Sequence, residues 1–208
     1  MPSAITEQTC YTQLREACRA YYDFSDASFE AFKRITFVKT VEKGNILQDT
    51  YSKARYIYFI CKGILRTYYL SEEGTTYTKN LFGENGFSAS KVSLLTGEDS
   101  YLSIEALEES TLIFIDFVAY QTLIETNGEF KDFYIRYLEK NWVIVKEKNE
   151  ISLILDDAMT RYRNFLRQNP EMEKRIPLHY IADHLGITPT QLSRIRRKLK
   201  EERQGLKR

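Results

Sequence analysis

The side chains best suited to recognise another molecule lie in a basic segment near the end of the chain. From Gln191 to Arg208 there are eight Lys and Arg residues against two Asp and Glu residues. Guanidinium and ammonium groups at this density are typical of surfaces that neutralise phosphates, and Arg can also bind a guanine edge through two parallel hydrogen bonds. We therefore expect this segment to bind a polyanion, with double-stranded DNA as the partner.

The residues that would position these side chains have the spacing of a helix-turn-helix. In residues 178–197, LHYIADHLGITPTQLSRIRR, Ala182 is the small residue expected where two helices cross. Gly186 suits a left-handed turn between the helices, while Thr188 and Gln191 fit a capping box at the start of the second. Apolar residues occupy the inward positions: Ile181, Leu185, Ile187, Leu192 and Ile195. Because several independent requirements agree, we predict a helix-turn-helix.

The second helix of this motif has a polar outward face. At about 100° per residue, Leu192, Ile195 and Leu199 define its buried side. On the opposite side we expect Arg194 to contact a guanine, while the basic residues further along reach phosphates. The predicted DNA-binding residues are Thr188, Thr190, Gln191, Ser193, Arg194, Arg197, Lys198 and Lys200. The alternative is a solvated helix end, or a helix-turn-helix that contacts only protein.

Residue types that support catalysis or metal binding are scarce. The chain has three cysteines without a CxxC motif, and its two histidines, His179 and His184, both lie near the C-terminal end. A metalloenzyme of the cupin type needs His and Glu ligands on its strands, so this class is disfavoured. We predict no catalytic residues, no metal site and no enzyme activity, and we expect the cysteines to be reduced.

The remainder of the chain differs from this basic end in charge. The 208 residues are 43% hydrophobic and 28% charged, which excludes a disordered or collagen-like chain. Residues 1–156 carry a net charge of −6 and residues 157–208 a net charge of +7. No window approaches the roughly 18 apolar residues of a membrane span, and the N-terminus lacks the pattern of a secretory leader. We therefore expect a cytoplasmic protein with no membrane partner.

A β-rich region is predicted in the first half of the chain. Between residues 37 and 117, short runs rich in Val, Ile, Thr, Tyr and Phe alternate with turn residues, which is typical of an antiparallel sandwich or barrel. Two short helices are predicted within residues 11–34, and another over 118–124. The predicted strands are 56–61, 64–70, 75–81, 102–107 and 111–117. The fold class is therefore α+β.

A long helix is predicted over residues 129–155, which contain no Gly or Pro. Its apolar residues follow a 4-3 pattern, with a second apolar stripe beside it. Two apolar faces need two partners, and a second copy of the same helix would give a two-fold dimer. The predicted dimerisation residues are Phe130, Tyr134, Tyr137, Asn141, Ile144 and Ile151. The alternative is a helix buried on two sides within a monomer, and a further amphipathic helix is predicted over 156–168.

Taken together, these modules resemble the Crp/Fnr family of bacterial transcription regulators. Besides the helix-turn-helix, the resemblance rests on KGNIL (43–47), YIYFICKGILRTYYLSEEG (56–74) and SLLTGEDSYLSIEALEESTLIFID (93–116). It implies a cyclic-nucleotide-binding-type β-roll as sensor over 1–126, a dimerisation helix over 127–155 and a helix-turn-helix domain over 156–208. It also implies a homodimer on a palindromic DNA site, with RNA polymerase as a further partner.

The sequence departs from that family's ligand-binding pattern. Nucleotide-binding members hold the ribose with a Glu and the cyclic phosphate with an Arg, but the matching places here are Ser90 and Ser100. A buried phosphate without its guanidinium loses a charge-assisted bond, so we predict that cyclic AMP is not the effector. Too few cysteines for an iron–sulfur cluster, and no His in the sensor for haem, leave another small molecule or no ligand. The predicted effector pocket comprises Phe87, Ser90, Ser100 and Tyr101. The alternative function is a ligand-binding signalling module whose helical tail binds protein rather than DNA.

Overall fold

The computed structural model describes residues 5–205 and the side chains of residues 5–202. Its first elements are two short helices. They are α1, Glu7–Arg19, and α2, Asp26–Arg34. Side-chain caps start both, with Thr6 Oγ1 accepting from the Thr9 amide at 3.2 Å and Ser25 Oγ from the Ser28 amide at 3.3 Å. The two predicted helices are confirmed.

Eight strands form two antiparallel sheets of four strands each. The strands are β1 Thr36–Val41, β2 Ile46–Gln48, β3 Tyr56–Lys62, β4 Leu65–Leu70, β5 Thr76–Phe82, β6 Phe87–Ser88, β7 Ser103–Ala106 and β8 Ser110–Asp116. The first sheet has the order β1-β8-β3-β6 and the second β2-β7-β4-β5. A short helix, α3, Lys91–Thr96, lies between β6 and β7 in the chain. The five predicted strands and the antiparallel arrangement are confirmed.

The first sheet is buried on both faces because successive side chains of a strand point to opposite sides. On β3, Tyr58 and Ile60 face the core between the sheets, where Leu65 of the second sheet packs. Phe59 and Cys61 face outward and pack with the N-terminal helices. The first sheet is therefore the middle layer of the sensor region.

A nearly continuous helical run follows the sheets. After α4, Phe117–Thr126, come α5, Gly128–Leu138, a π-helical segment, Glu139–Val145, and α6, Lys146–Leu155. The prediction of one uniform α-helix over 129–155 is therefore wrong in its centre. The wider turn of a π-helix advances each residue by a smaller angle, so the 4-3 pattern does not hold one face across this segment.

The C-terminal region is built from four helices packed around their own core. They are α7 Ala158–Gln168, α8 Met172–Arg175, α9 Leu178–His184 and α10 Pro189–Gly205. Tyr162, Ile181 and Leu192 lie in this core, which also includes Ile64 and Leu107 from the sensor region. Within the described part of the chain, no helix is long and apolar enough to cross a membrane, and no three His, Cys, Asp or Glu side chains are grouped to hold a metal.

Candidate nucleic-acid interface and sensor site

The helix-turn-helix is formed by α9 and α10, as the sequence predicts. Gly186, in the turn between them, has a φ of +65°, the left-handed conformation that glycine adopts without steric cost. Ala182 is fully buried in the contact. The capping box is reciprocal: Thr188 Oγ1 accepts from the Gln191 amide at 3.1 Å, and Gln191 Oε1 accepts from the Thr188 amide at 2.9 Å. This start of α10 is therefore held by its own side chains.

One face of α10 is buried and the other is open to solvent. Leu192 is 1% exposed, and Ile195 and Leu199 are half-buried in the same core. All eight predicted DNA-binding residues are exposed: Thr188, Thr190, Gln191, Ser193, Arg194, Arg197, Lys198 and Lys200. Among residues 5–202, none of the four cations in this group forms an ion pair with a carboxylate. The structure thus brings these residues to one free surface, while their contact with DNA stays a prediction.

Arg196 lies at the edge of the exposed face of α10 and has a different role. Its Nε donates to Glu173 Oε1 at 2.5 Å, and the hydroxyl of Tyr162 donates to the same carboxylate at 2.5 Å. Arg196 therefore ties α10 to α7 and to the segment that contains α8. The helical spacing predicts that Arg194 and Arg197 point outward, and both are exposed.

The helix-turn-helix is joined to the sensor sheets by a stacked arginine. The guanidinium carbon of Arg66, on β4, lies 4.1 Å from the ring centroid of Tyr68 and 4.2 Å from that of Tyr180 on α9. Glu105, on β7, accepts from Arg66 at 2.7 Å. Because Arg66 is nearly buried, both the stacking and the ion pair act with little screening by water. No local pattern predicts this contact, because it joins residues more than one hundred positions apart.

A second ionic contact lies at the linker before α9. Arg175 pairs with Glu84 and Glu108, which both belong to the sensor region. Burial tends to raise the pKa of Glu84, but hydrogen bonds from Arg175 and from the Gly63 amide outweigh it and hold the pKa below its ordinary value. The charged linker is therefore fixed to the sensor.

His184, at the end of α9, makes a third contact. Its Nδ1 lies 3.1 Å from the carbonyl oxygen of Lys79 on β5. Desolvation lowers the pKa of His184, and the hydrogen bond to this carbonyl only partly offsets that effect. The docked arrangement therefore favours neutral His184.

In the sensor, the two serines at the expected ligand-anchor places bind each other. The Oγ atoms of Ser90 and Ser100 are 2.6 Å apart, and both residues are buried. Ser100 Oγ donates its proton to the Leu102 carbonyl at 2.6 Å and accepts from the Leu102 amide at 3.1 Å. Since a hydroxyl has one proton, Ser90 must donate to Ser100, whose donor and both acceptor positions are then used. These residues do not fit a cyclic phosphate, because neither brings positive charge and Ser100 has no hydrogen-bonding capacity left.

The predicted effector pocket therefore needs correction. Phe87 contacts Phe59 and Tyr137 and lines a cavity of about 380 Å³, but Ser90 and Ser100 are absent from the lining of that cavity. Tyr101 is 44% exposed and does not line it either. The four residues therefore do not share one cavity. Phe87 faces the helices outside the first sheet, and the hydroxyls of the two serines bind each other.

The predicted dimerisation residues divide into two groups. Phe130 is 0% exposed and lies 4.7 Å, centroid to centroid, from Phe24, so its assignment to a dimer face is wrong. Tyr134 and Tyr137 are half-buried against the same core, and Asn141 Nδ2 donates to the Tyr21 hydroxyl at 3.1 Å. The remaining two, Ile144 and Ile151, are 50% and 48% exposed. The first half of the run therefore packs on its own sensor, and the second half leaves its apolar side chains exposed.

Comparison with known proteins identifies the domain formed by the sheets and the overall fold. Residues 38–127 match the family model of the cyclic nucleotide-binding domain. FixK2 from Bradyrhizobium japonicum is 17% identical with a TM-score of 0.65, over 81% of this chain and 86% of that one. CLP, a c-di-GMP responsive global regulator from Xanthomonas campestris, is 14% identical with a TM-score of 0.63, over 86% and 93%.

A third similar structure is that of a Crp/Fnr family protein. A protein assigned to the Crp/Fnr family of transcriptional regulators, from Eubacterium rectale, is 20% identical with a TM-score of 0.59, over 86% of this chain and 85% of that one. No curated protein matches the sequence. The resemblance to the Crp/Fnr family is confirmed at the level of the domain and the fold.

Proposed function

The chain combines a cyclic nucleotide-binding domain with the fold of the Crp/Fnr regulators, and on this premise we propose that it is a DNA-binding transcription regulator. The observation that carries the proposal is the free face of α10. This face presents four cations without carboxylate partners among residues 5–202, on a helix whose start is capped and whose other side is buried. A rigid helix with such a face fits the major groove.

We propose that the protein acts as a homodimer on a palindromic site. Neither the π-helical segment nor α6 has a buried residue, although both are rich in apolar side chains. Ile154 is 82% exposed and Leu155 is 76% exposed, together with the half-exposed Ile144 and Ile151. A second copy of the same run would cover these side chains and place two α10 helices on two half-sites.

The environment of the protein and its further partners follow from this function. A DNA-binding regulator works in the cytoplasm, where its three buried cysteines stay reduced. RNA polymerase is the further partner that the family resemblance implies. We propose no catalytic residue, no metal cofactor and no cyclic nucleotide as effector, the last because Ser90 and Ser100 bond to each other.

Electrophoretic mobility measurements with genomic DNA fragments at increasing salt test the proposal. A protein that neutralises phosphates loses affinity steeply with salt, with a slope of about −0.9 per phosphate contact in a log–log plot. The Arg194→Ala, Arg197→Ala double variant is expected to bind more weakly and to show a shallower slope. Its matched control is Arg34→Ala, Lys39→Ala, which removes two exposed cations from the sensor.

The same measurements distinguish DNA binding from the alternative function, a signalling module whose helical tail binds protein. If the helical tail binds protein, the chain shows no salt-dependent shift of DNA, and the two double variants behave alike. That outcome would favour the ligand-binding signalling module over the DNA-binding regulator.

A further inference from the structure

An apolar cavity of about 380 Å³ lies outside the first sheet, between that sheet, α3 and the helical run. Ile57 and Ile115 form its floor, and both point to the outer face of the sheet rather than to the core between the sheets. Tyr137 and Trp142 contribute from the helical run. Its volume is within the range of small-molecule binding pockets, which are mostly apolar with a few polar groups.

One cation lines this cavity without a counter-ion. Lys91 Nζ lies 4.3 Å from the ring centroid of Trp142 and 5.8 Å from that of Tyr137. Among residues 5–202, no carboxylate lies within ion-pair distance of it. Burial, and to a smaller extent the charge of Lys79, lower the pKa of Lys91 to about 8. A half-buried ammonium that contacts ring faces loses part of its hydration, and an anion beside it would offset that loss.

The π-helical segment supplies part of the wall. Trp142 and Val143 both belong to this segment and both line the cavity. Segments of π-helix are rare and occur frequently at functional sites. This observation is independent of Lys91.

We propose that this cavity binds a small apolar monoanion, a carboxylate on a compact hydrocarbon or aromatic body, with its carboxylate on Lys91. The apolar body lies against Trp142, Tyr137 and Phe87. This site is distinct from the Ser90–Ser100 position, and ligand binding there does not depend on whether the protein binds DNA.

The single tryptophan of the chain reports on this site, because Trp142 is in the cavity wall. The probes are 4-phenylbutyrate, 1-naphthaleneacetate and decanoate, titrated into the full chain and followed by Trp142 emission and by isothermal titration calorimetry. The neutral match for the first probe is 4-phenylbutanamide. We expect saturable binding of the acids and at least about tenfold weaker binding of the amide, since a charge-assisted hydrogen bond is lost.

Substitutions in the cavity provide the decisive comparison. Lys91→Met keeps the length of the side chain and is expected to reduce the affinity for 4-phenylbutyrate to that for the amide. Lys39→Met, on an exposed lysine away from the cavity, is expected to bind as the wild type does. Val92→Phe narrows the cavity and is expected to weaken acid and amide together. Thermal melts establish that each variant is folded.

Three results would overturn the proposal. The first is the absence of saturable heat or emission change with all three acids. The second is equal affinity of wild-type protein for 4-phenylbutyrate and its amide. The third is unchanged affinity for 4-phenylbutyrate in folded Lys91→Met protein.

Discussion

Ser90 and Ser100 share a buried hydrogen bond, with their Oγ atoms 2.6 Å apart, at the two positions that the family resemblance assigns to the ligand anchors. Ser100 completes its hydrogen bonding on Leu102, so the pair needs no ligand to satisfy it. Residues 38–127 match the cyclic nucleotide-binding domain, but the hydrogen bond between Ser90 and Ser100 forms without a ligand.

The first prediction is that cyclic AMP leaves the stability of the protein unchanged. A ligand present at 100 times its dissociation constant adds about 2.7 kcal/mol to the free energy of unfolding. Because no guanidinium is at the place of the phosphate anchor, millimolar cyclic AMP is expected to produce no rise in melting temperature by differential scanning fluorimetry. A saturable rise, or saturable heat by calorimetry, would show that the nucleotide binds through other residues.

The second prediction concerns acidification. The pKa of His184 is lowered in the folded protein, so below its ordinary value, about 6.5, the unfolded chain binds a proton that the folded chain resists. The stability that neutral His184 supports is therefore present at higher pH and is lost as pH falls through the unfolded-state pKa. In urea melts between about pH 7.5 and about pH 5.5, the wild type is expected to lose more stability than His184→Gln.

The control for this prediction is His179→Gln, since the chain has only these two histidines and His179 is exposed. This variant is expected to keep the pH dependence of the wild type. Equal pH dependence in wild-type and His184→Gln protein would mean that the contact of His184 with the Lys79 carbonyl does not disfavour its protonation.

The third prediction is a dimer held by the second half of the helical run. Light scattering at micromolar concentration is expected to give twice the chain mass of 24.5 kDa. Ile144→Glu places a charge among the exposed apolar side chains and should shift the mass toward the monomer, with a loss of DNA affinity because two half-sites are no longer bound together. Val118→Glu is the matched control, because Val118 is 70% exposed on α4. A monomeric wild type would contradict the dimer.

The fourth prediction separates two roles on α10. Arg194 lies near the start of the helix on the free face, so Arg194→Ala should cost about 1 to 3 kcal/mol of binding free energy and relax the preference at one base pair per half-site. Lys200, further along, is expected to reach only phosphate. Lys200→Ala should weaken all sequences equally and reduce the salt slope by about one unit per half-site. Fluorescence anisotropy with matched and mismatched duplexes distinguishes the two, and an equal, sequence-independent loss would make Arg194 a phosphate contact.

The elements that sequence predicts well are those whose signals are local. The helix-turn-helix was predictable because Ala182, Gly186 and Thr188 each meet a separate steric or capping requirement within a few residues. The long strands β3, β4 and β8 were predictable from β-branched and aromatic runs bounded by turns. The strands β2 and β6 have only three and two residues, so their formation depends on pairing with distant strands.

The features that sequence could not supply depend on residues far apart in the chain or on a change of helix type. Residues 139–145, EKNWVIV, contain no Gly or Pro, so nothing local marks the π-helical turn that changes the apolar pattern. The contact of Arg66 with Tyr180 and the cavity beside Lys91 both join elements from different regions. The 4-3 apolar pattern that includes Phe130 fits burial within one subunit as well as it fits a dimer interface. The sequence therefore does not show that Phe130 is buried against the N-terminal helices.

The most direct test of the central claim is selection of bound DNA from a random pool with the unliganded protein. We expect enrichment of an inverted repeat whose half-sites are about one helical turn, roughly 34 Å, apart, because each protomer would present one α10 to the major groove. Wild-type protein and Lys39→Ala should select the same repeat, while Arg194→Ala should lose preference at one position in each half. Recovery of no enriched sequence, or of a single site without two-fold symmetry, would contradict a dimeric, sequence-specific DNA-binding regulator.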